Sequence, residues 1–149
     1  VPGRALALDL GERRIGVAVC DDGRRVATPL ETVDRVGDRT VEHARIAHLV
    51  TDHGVGVVVV GLPLSLDGEL GPAARKVLSE VKALRRRLRV EGVEVVTHDE
   101  RFSTVDAHGS LRAQGVRGAK GRAVVDQLAA AVILQSWIDA TSADAPTEG

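Results

Sequence analysis

Acids stand at three places in this sequence where acids are costly. Asp9 sits in "ALALDLGERRIGVAVCDD", carried by the first of two apolar runs that read as neighbouring strands. Asp99 and Glu100 follow directly on "VEVVT", where the chain leaves a strand. Asp126 lies early in "RAVVDQLAAAVILQSWI", with Ala129, Ala130, Ile133 and Trp137 around it on the helical face. A carboxylate beside buried apolar side chains is unfavourable unless it is paired, hydrogen-bonded or bound to a cation. Parallel strands of an α/β sheet end at one edge, so an acid on the first strand, an acid ending a later strand and an acid on a packing helix can converge there. Left alone, such acids repel and lift each other's pKa. Mg²⁺ or Mn²⁺ removes the conflict, because these hard cations prefer carboxylate and water oxygens. Two ions about 4 Å apart are a known device for phosphodiester cleavage, one activating the water and the other stabilising the leaving oxygen.

Each acid also has a plainer reading. Asp9 could cap the turn "DLGERR" and pair with Arg13 or Arg14, and Asp126 could be a first-turn acid that complements a helix dipole. The alanines beside Asp126 argue against the second reading, since small residues let a helix approach a sheet closely and carry the acid with it.

The elements that must position these acids follow from periodicity. Residues 4–10 and 14–20 read as two antiparallel strands, and "RRVATPLETV" supplies a third. Asp38 is a suitable N-cap for a helix over 39–52, with Val41, Ala44, Ile46, Leu49 and Val50 towards the core. "VGVVVVG" (55–61) suits a strand buried on both faces. Pro72 opens a basic helix over 73–89, and "VEVVTH" (93–98) is a strand. Ser103 with Asp106 predicts a capped helix over about 104–114. "GVRGAKG" (115–121) reads as a glycine-rich basic loop, residues 122–140 as a buried helix and 141–149 as a flexible tail. The order β-β-β-α-β-α-β-α-α predicts one α/β domain over residues 1–140, with a mixed five-stranded sheet flanked by helices.

Composition narrows the class. The 149 residues are 44% hydrophobic and 28% charged, enough for a real core without staples. A single cysteine, Cys20, excludes an internal disulfide and fits a reducing cytosol. No run reads as a membrane span and no leader opens the chain, so a cytoplasmic protein without membrane contact is expected. The net charge of -1 conceals two basic segments. Between Ala73 and Arg89 stand Arg75, Lys76, Lys82, Arg85, Arg86, Arg87 and Arg89 against Glu80; between Arg101 and Arg122 stand Arg101, Arg112, Arg117, Lys120 and Arg122 against Asp106. Such segments can hold a polyanion or merely form a solvated face. Phe102 and Trp137 are the two aromatics, so nucleic-acid recognition would rest on charge and shape rather than stacking.

Four stretches resemble the YqgF/RuvX family of bacterial nucleases: "ALDLGERRIGVAV" (7–19), "VGLPLSLDG" (60–68), "THDERFSTVDA" (97–107) and "VDQLAAAVILQSW" (125–137). The resemblance implies a ribonuclease H-like fold, with catalytic and metal-holding acids at Asp9, Glu100 and Asp126. It also implies Mg²⁺ or Mn²⁺, in all two ions, and processing of the 5′ end of pre-16S rRNA, with Holliday-junction resolution as the alternative. Asp99 is the weaker candidate and could orient Arg101. Gly11, Arg14, Ser65, Arg101, Arg117 and Lys120 are the candidate substrate contacts. A resolvase would act as a homodimer, whereas an end-processing nuclease could act as a monomer.

Two rivals belong to other classes. "DLGERRIGVAV" resembles the phosphate-binding hairpin of sugar-kinase and Hsp70-type ATPases, which need two such domains around a nucleotide. A non-catalytic nucleic-acid-binding module would use the arginines and treat the acids as structural. His43, His48 and His53 lack the spacing of a zinc site, and His98 beside "DER" could shuttle a proton.

Overall fold

The first strand sorts its side chains by size, and that sorting decides the layers. The computed structural model describes residues 3–102 and 118–143. Its elements are β1 (Arg4–Leu10), β2 (Arg14–Cys20), β3 (Ala27–Asp34), α1 (Arg39–Asp52), β4 (Val55–Leu62), α2 (Pro72–Arg89), β5 (Glu94–Asp99), a 3₁₀ turn (Glu100–Phe102) and α3 (Gly118–Ala143). Side chains alternate between the faces of a strand. β1 therefore turns Ala5 and Ala7 one way and Leu6 and Leu8 the other, and β2 separates Ala18 and Cys20 from Ile15, Val17 and Val19. The small face lets α3 lie close, burying Ala130, Ile133, Leu134 and Ile138 against Ala5, Ala7, Ala18, Val57 and Val59. The large face packs on α1 and α2 through Ile46, Leu49, Val50, Val77, Val81, Leu84 and Leu88.

The sheet order is β3-β2-β1-β4-β5. β1 pairs antiparallel with β2, and β2 with β3, whereas β1, β4 and β5 run parallel. This is the mixed five-stranded sheet the sequence predicts. Asp38 caps α1 as predicted, accepting from the Thr40 N–H at 2.9 Å.

Four details depart from the sequence-based expectations. In α1, Val41 is 55% exposed and Ala44 is exposed, while Glu42 and His43 face inward. The inward pair has charged partners to meet, Arg35 for Glu42 and Glu80 for His43. α3 begins at Gly118, so residues 118–121 are helical rather than loop and Asp126 is nine residues in, beyond the reach of a first-turn dipole effect. The same helix continues through Ala143, past the expected end at 140. Finally, Gly121–Ser142 is long and apolar enough to cross a membrane by length and composition, against the expectation that no run is. Its apolarity serves the sheet, on which Ala129, Ala130, Ile133, Leu134 and Ile138 are buried. The helix predicted over 104–114 lies outside the described residues.

Candidate active site at the edge of the sheet

β1, β4 and β5 end at one edge, and the small face there carries the acids. Asp9 continues the alternation of Ala5 and Ala7, so it belongs to the α3 side of the sheet. Its register partner on β2 is Gly16. A Cβ on Gly16 would collide with the main-chain carbonyl of Asp126, so glycine is what lets α3 touch the strand beside Asp9. Gly61, near the end of β4, plays the same part for Glu100. A Cβ there would stand 2.6 Å from both the Glu100 Oε1 and the Ile133 Cδ1. Two glycines thus open two places on one face, one filled by the backbone of Asp126 and the other by the carboxyl of Glu100.

The electrostatics follow from that placement. Burial, then the nearby Asp9 and then Asp99, push the Glu100 carboxyl up to about 7. Asp9 and Glu100 are therefore close enough for each charge to penalise the other. The Asp126 Oδ2 accepts from the Arg14 Nε at 2.7 Å, both side chains being half-buried. Arg14 thus serves Asp126, where the plainer reading of the sequence offered it to Asp9. Among the described residues no three His, Cys, Asp or Glu side chains stand together as a ready metal cluster. The structure brings Asp9 and Glu100 together and sets Asp126 at the same edge, with its carboxylate held by Arg14.

This donor set fits a hard divalent cation. Two carboxylates that disfavour each other's charge are relieved by a cation between them, and oxygen is the ligand such ions prefer. Asp126 could join them by exchanging Arg14 for the ion.

The other predicted residues have defined partners. Gly11 donates its N–H to the carbonyls of Asp9 and Arg14, closing the hairpin turn, and a Cβ there would sit 2.6 Å from the Arg14 oxygen. That N–H is engaged within the turn. Arg101 donates to both oxygens of Asp99 at 2.6–3.1 Å and to the Leu66 carbonyl at 3.3 Å. Its guanidinium lies 3.3 Å from where a Cβ on Gly68 would be, so it braces the β4–α2 loop against β5. Asp99 orients Arg101, as the sequence suggests, and is itself held below the usual carboxylate range by it. Ser65 bonds within the same loop, to Asp67 and to the Glu69 carbonyl. His98 bonds the Ser136 Oγ at 2.8 Å, and burial lowers its pKa. Arg117 and the side chain of Lys120 lie outside the described residues.

Sequence reasoning missed a buried charged network on the opposite face. Arg35 donates to Glu42 at 2.9 Å and to both oxygens of Glu80 at 2.7 and 2.8 Å. His43 Nε2 bonds the Glu80 Oε2 at 2.8 Å. Burial would raise the Glu80 carboxyl, but the bonds from His43 and Arg35 win and hold it at about 2. Arg35 also ties down the turn that follows Asp9, through its main-chain N–H to the Arg13 carbonyl at 2.9 Å and its Nε to the Gly11 carbonyl at 3.1 Å. A helical reading could have found this, since Glu42 and His43 stand four and three residues before Ile46 and share its buried stripe.

A five-stranded mixed sheet with acids at the parallel edge and a helix laid on the small face defines the ribonuclease H-like class. Solved structures agree on the fold. RuvC of Thermus thermophilus in complex with a Holliday junction substrate superposes with a TM-score of 0.60 at 18% identity, covering 94% of this chain and 96% of that one. The yeast mitochondrial Holliday junction resolvase Ydc2 gives 0.50 at 11% identity, over 92% and 80%. The model of the family RuvX, described as Holliday junction resolvase, matches residues 3–140. A protein of Streptomyces avermitilis is 46% identical over 149 residues, covering 99% of this chain and 94% of its own. One of Mycobacterium leprae is 46% identical over 154 residues, covering 99% and 82%. Both carry the name "Putative pre-16S rRNA nuclease". The chain belongs to the RuvX family.

Proposed function

We propose that the chain is a divalent-metal-dependent nuclease that hydrolyses phosphodiester bonds at the 5′ end of pre-16S rRNA, with residues 1–140 as its one nuclease domain. The observation that carries the reading is the pair Asp9 and Glu100, two carboxylates set together at the sheet edge so that Glu100 is pushed up to about 7. A place that penalises its own charges is one that a cation completes. The names of the relatives support the substrate, and the fold of the resolvases supports phosphodiester chemistry.

In this reading Asp9, Glu100 and Asp126 hold Mg²⁺ or Mn²⁺, which when bound supplies an activated water and charge stabilisation at the leaving oxygen. The residues of the chain do the rest. Gly16 and Gly61 set the spacing of the acids, Arg14 holds Asp126 until it is needed, and Arg101 keeps the β4–α2 loop at the rim. Arg117 and Lys120 contact substrate phosphates.

The test is cleavage of an RNA carrying the 16S 5′ extension, beside a four-way DNA junction, with Mg²⁺, Mn²⁺ or a chelator. The RNA is cut only with metal, and Asp9→Asn, Glu100→Gln and Asp126→Asn each abolish the cut. Junction cleavage with intact RNA would favour the resolvase reading, and wild-type turnover by any two of the variants would overturn the site.

A further inference from the structure

The bases of α2 are sorted by the fold into those with work inside the molecule and those without. Arg85 donates to the Val95 carbonyl at 3.1 Å, Arg87 pairs with Glu91 at 3.1 Å, and Lys76 lies 3.8 Å from Glu12. The one acid of the helix, Glu80, is buried against Arg35 and neutralises nothing at the surface. Arg75, Lys82, Arg86 and Arg89 are all exposed and make no ion pair among the described residues. At 3.6 residues per turn these four fall within about 60° of one another, opposite the buried Val77, Val81, Leu84 and Leu88. At 1.5 Å per residue the stripe is about 21 Å long. Glu94 is the one acid lining the shallow groove beside its Arg89 end.

A solvated face of an ordinary protein mixes its signs. This chain has a net charge of -1, yet it aligns four cations with no acid between them on the stripe. The stripe also lies on the wrong side of the molecule to serve the acids directly. α2 packs on the Leu6, Leu8, Val58 and Val60 face of the sheet, whereas Asp9, Glu100 and Asp126 belong to the α3 face.

We propose that Arg75, Lys82, Arg86 and Arg89 form a second nucleic-acid contact, which holds the phosphate backbone of an RNA helix at a distance from the bond that is cut. The proposal rests on the nuclease reading for the identity of the RNA, but not for its binding. A duplex is the fitting partner because it is recognised by backbone and shape. A single strand would call for stacking aromatics, and α2 has none. The remote grip would let the enzyme select a structured precursor over any loose RNA end.

The experiment compares wild type with the fourfold variant Arg75→Gln, Lys82→Gln, Arg86→Gln and Arg89→Gln in the full chain. Binding is measured over a salt series to two probes: a hairpin RNA with a single-stranded 5′ extension, and the extension alone as a short oligonucleotide. A melting curve confirms that the variant is folded. The variant binds the hairpin at least ~10-fold more weakly, and its log–log salt slope falls by roughly 0.7–0.9 for each phosphate it no longer neutralises. Its affinity for the short oligonucleotide stays within about twofold, as a grip remote from the cut requires. Unchanged hairpin affinity and slope overturn the proposal and leave the stripe a solvated face or a protein-binding surface. An equal weakening on both probes also overturns it, by placing the stripe at the cleavage site. Weakened hairpin binding alone upholds it even if the wild type cuts neither RNA, an outcome that would sink the nuclease reading by itself.

Discussion

Gly16 and Asp126 meet backbone to backbone: the strand residue has no side chain, and the main chain of the helix residue occupies the space a Cβ would take. Because Gly16 is also the register partner of Asp9, this one contact sets how far the helix acid stands from the strand acid.

Gly16→Ala therefore forces α3 away from β2. The colliding atoms are backbone and cannot rotate aside, so the cost is at the upper end of the ~1–3 kcal/mol typical of overpacking. Thermal melts report that destabilisation. RNA cleavage should fall further than the stability change explains, since Asp126 moves with the helix.

Glu100 burdens the folded state. A carboxyl whose folded pKa is raised from 4.5 to about 7 stays protonated in the native protein while the unfolded chain ionises. Stability is unaffected below about pH 4.5, declines as pH rises towards 7 and carries the full penalty above it. Glu100→Gln should raise the melting temperature by a few degrees at pH 8 and leave it unchanged at pH 4. Equal shifts at both pH values would contradict the placement of Glu100.

Glu80 works in the opposite direction. Its pKa falls from 4.5 to about 2 on folding, so its contribution is present above 4.5 and lost as pH drops through 2. The shift corresponds to something on the order of 3 kcal/mol. Denaturant melts between pH 5 and 2 should show wild type losing stability that Glu80→Gln lacks throughout. At neutral pH that variant leaves Arg35 and His43 without their shared carboxylate, a change that typically costs ~3–5 kcal/mol.

Much of this fold was legible because its signals are periodic. The apolar runs of β1 and β2 on either side of a short polar turn announce a pair of antiparallel strands, and Asp38 announces the start of α1. The network of Arg35, Glu42, His43 and Glu80 was hidden for a physical reason. Apolar periodicity scores Val41 as core and Glu42 as surface, whereas burial of Glu42 is decided by Arg35, which arrives from the end of β3. The acids Asp9, Glu100 and Asp126 stood out by their apolar surroundings. Their spacing did not, because it is set by what two glycines lack, and the bond from Arg14 to Asp126 joins residues 112 positions apart.

Whether Asp9 and Glu100 hold a divalent cation is measured directly by calorimetric titration of Mn²⁺ into wild type, Asp9→Asn and Glu100→Gln. Wild type should bind at pH 8 without proton release and at pH 6 with release of about one proton, as Glu100 gives up the one it holds. Each variant should bind at least ~10-fold more weakly, as expected when a ligand carboxylate is neutralised. Wild-type affinity in both variants, with no proton release at pH 6, would show that the two acids do not form a metal site.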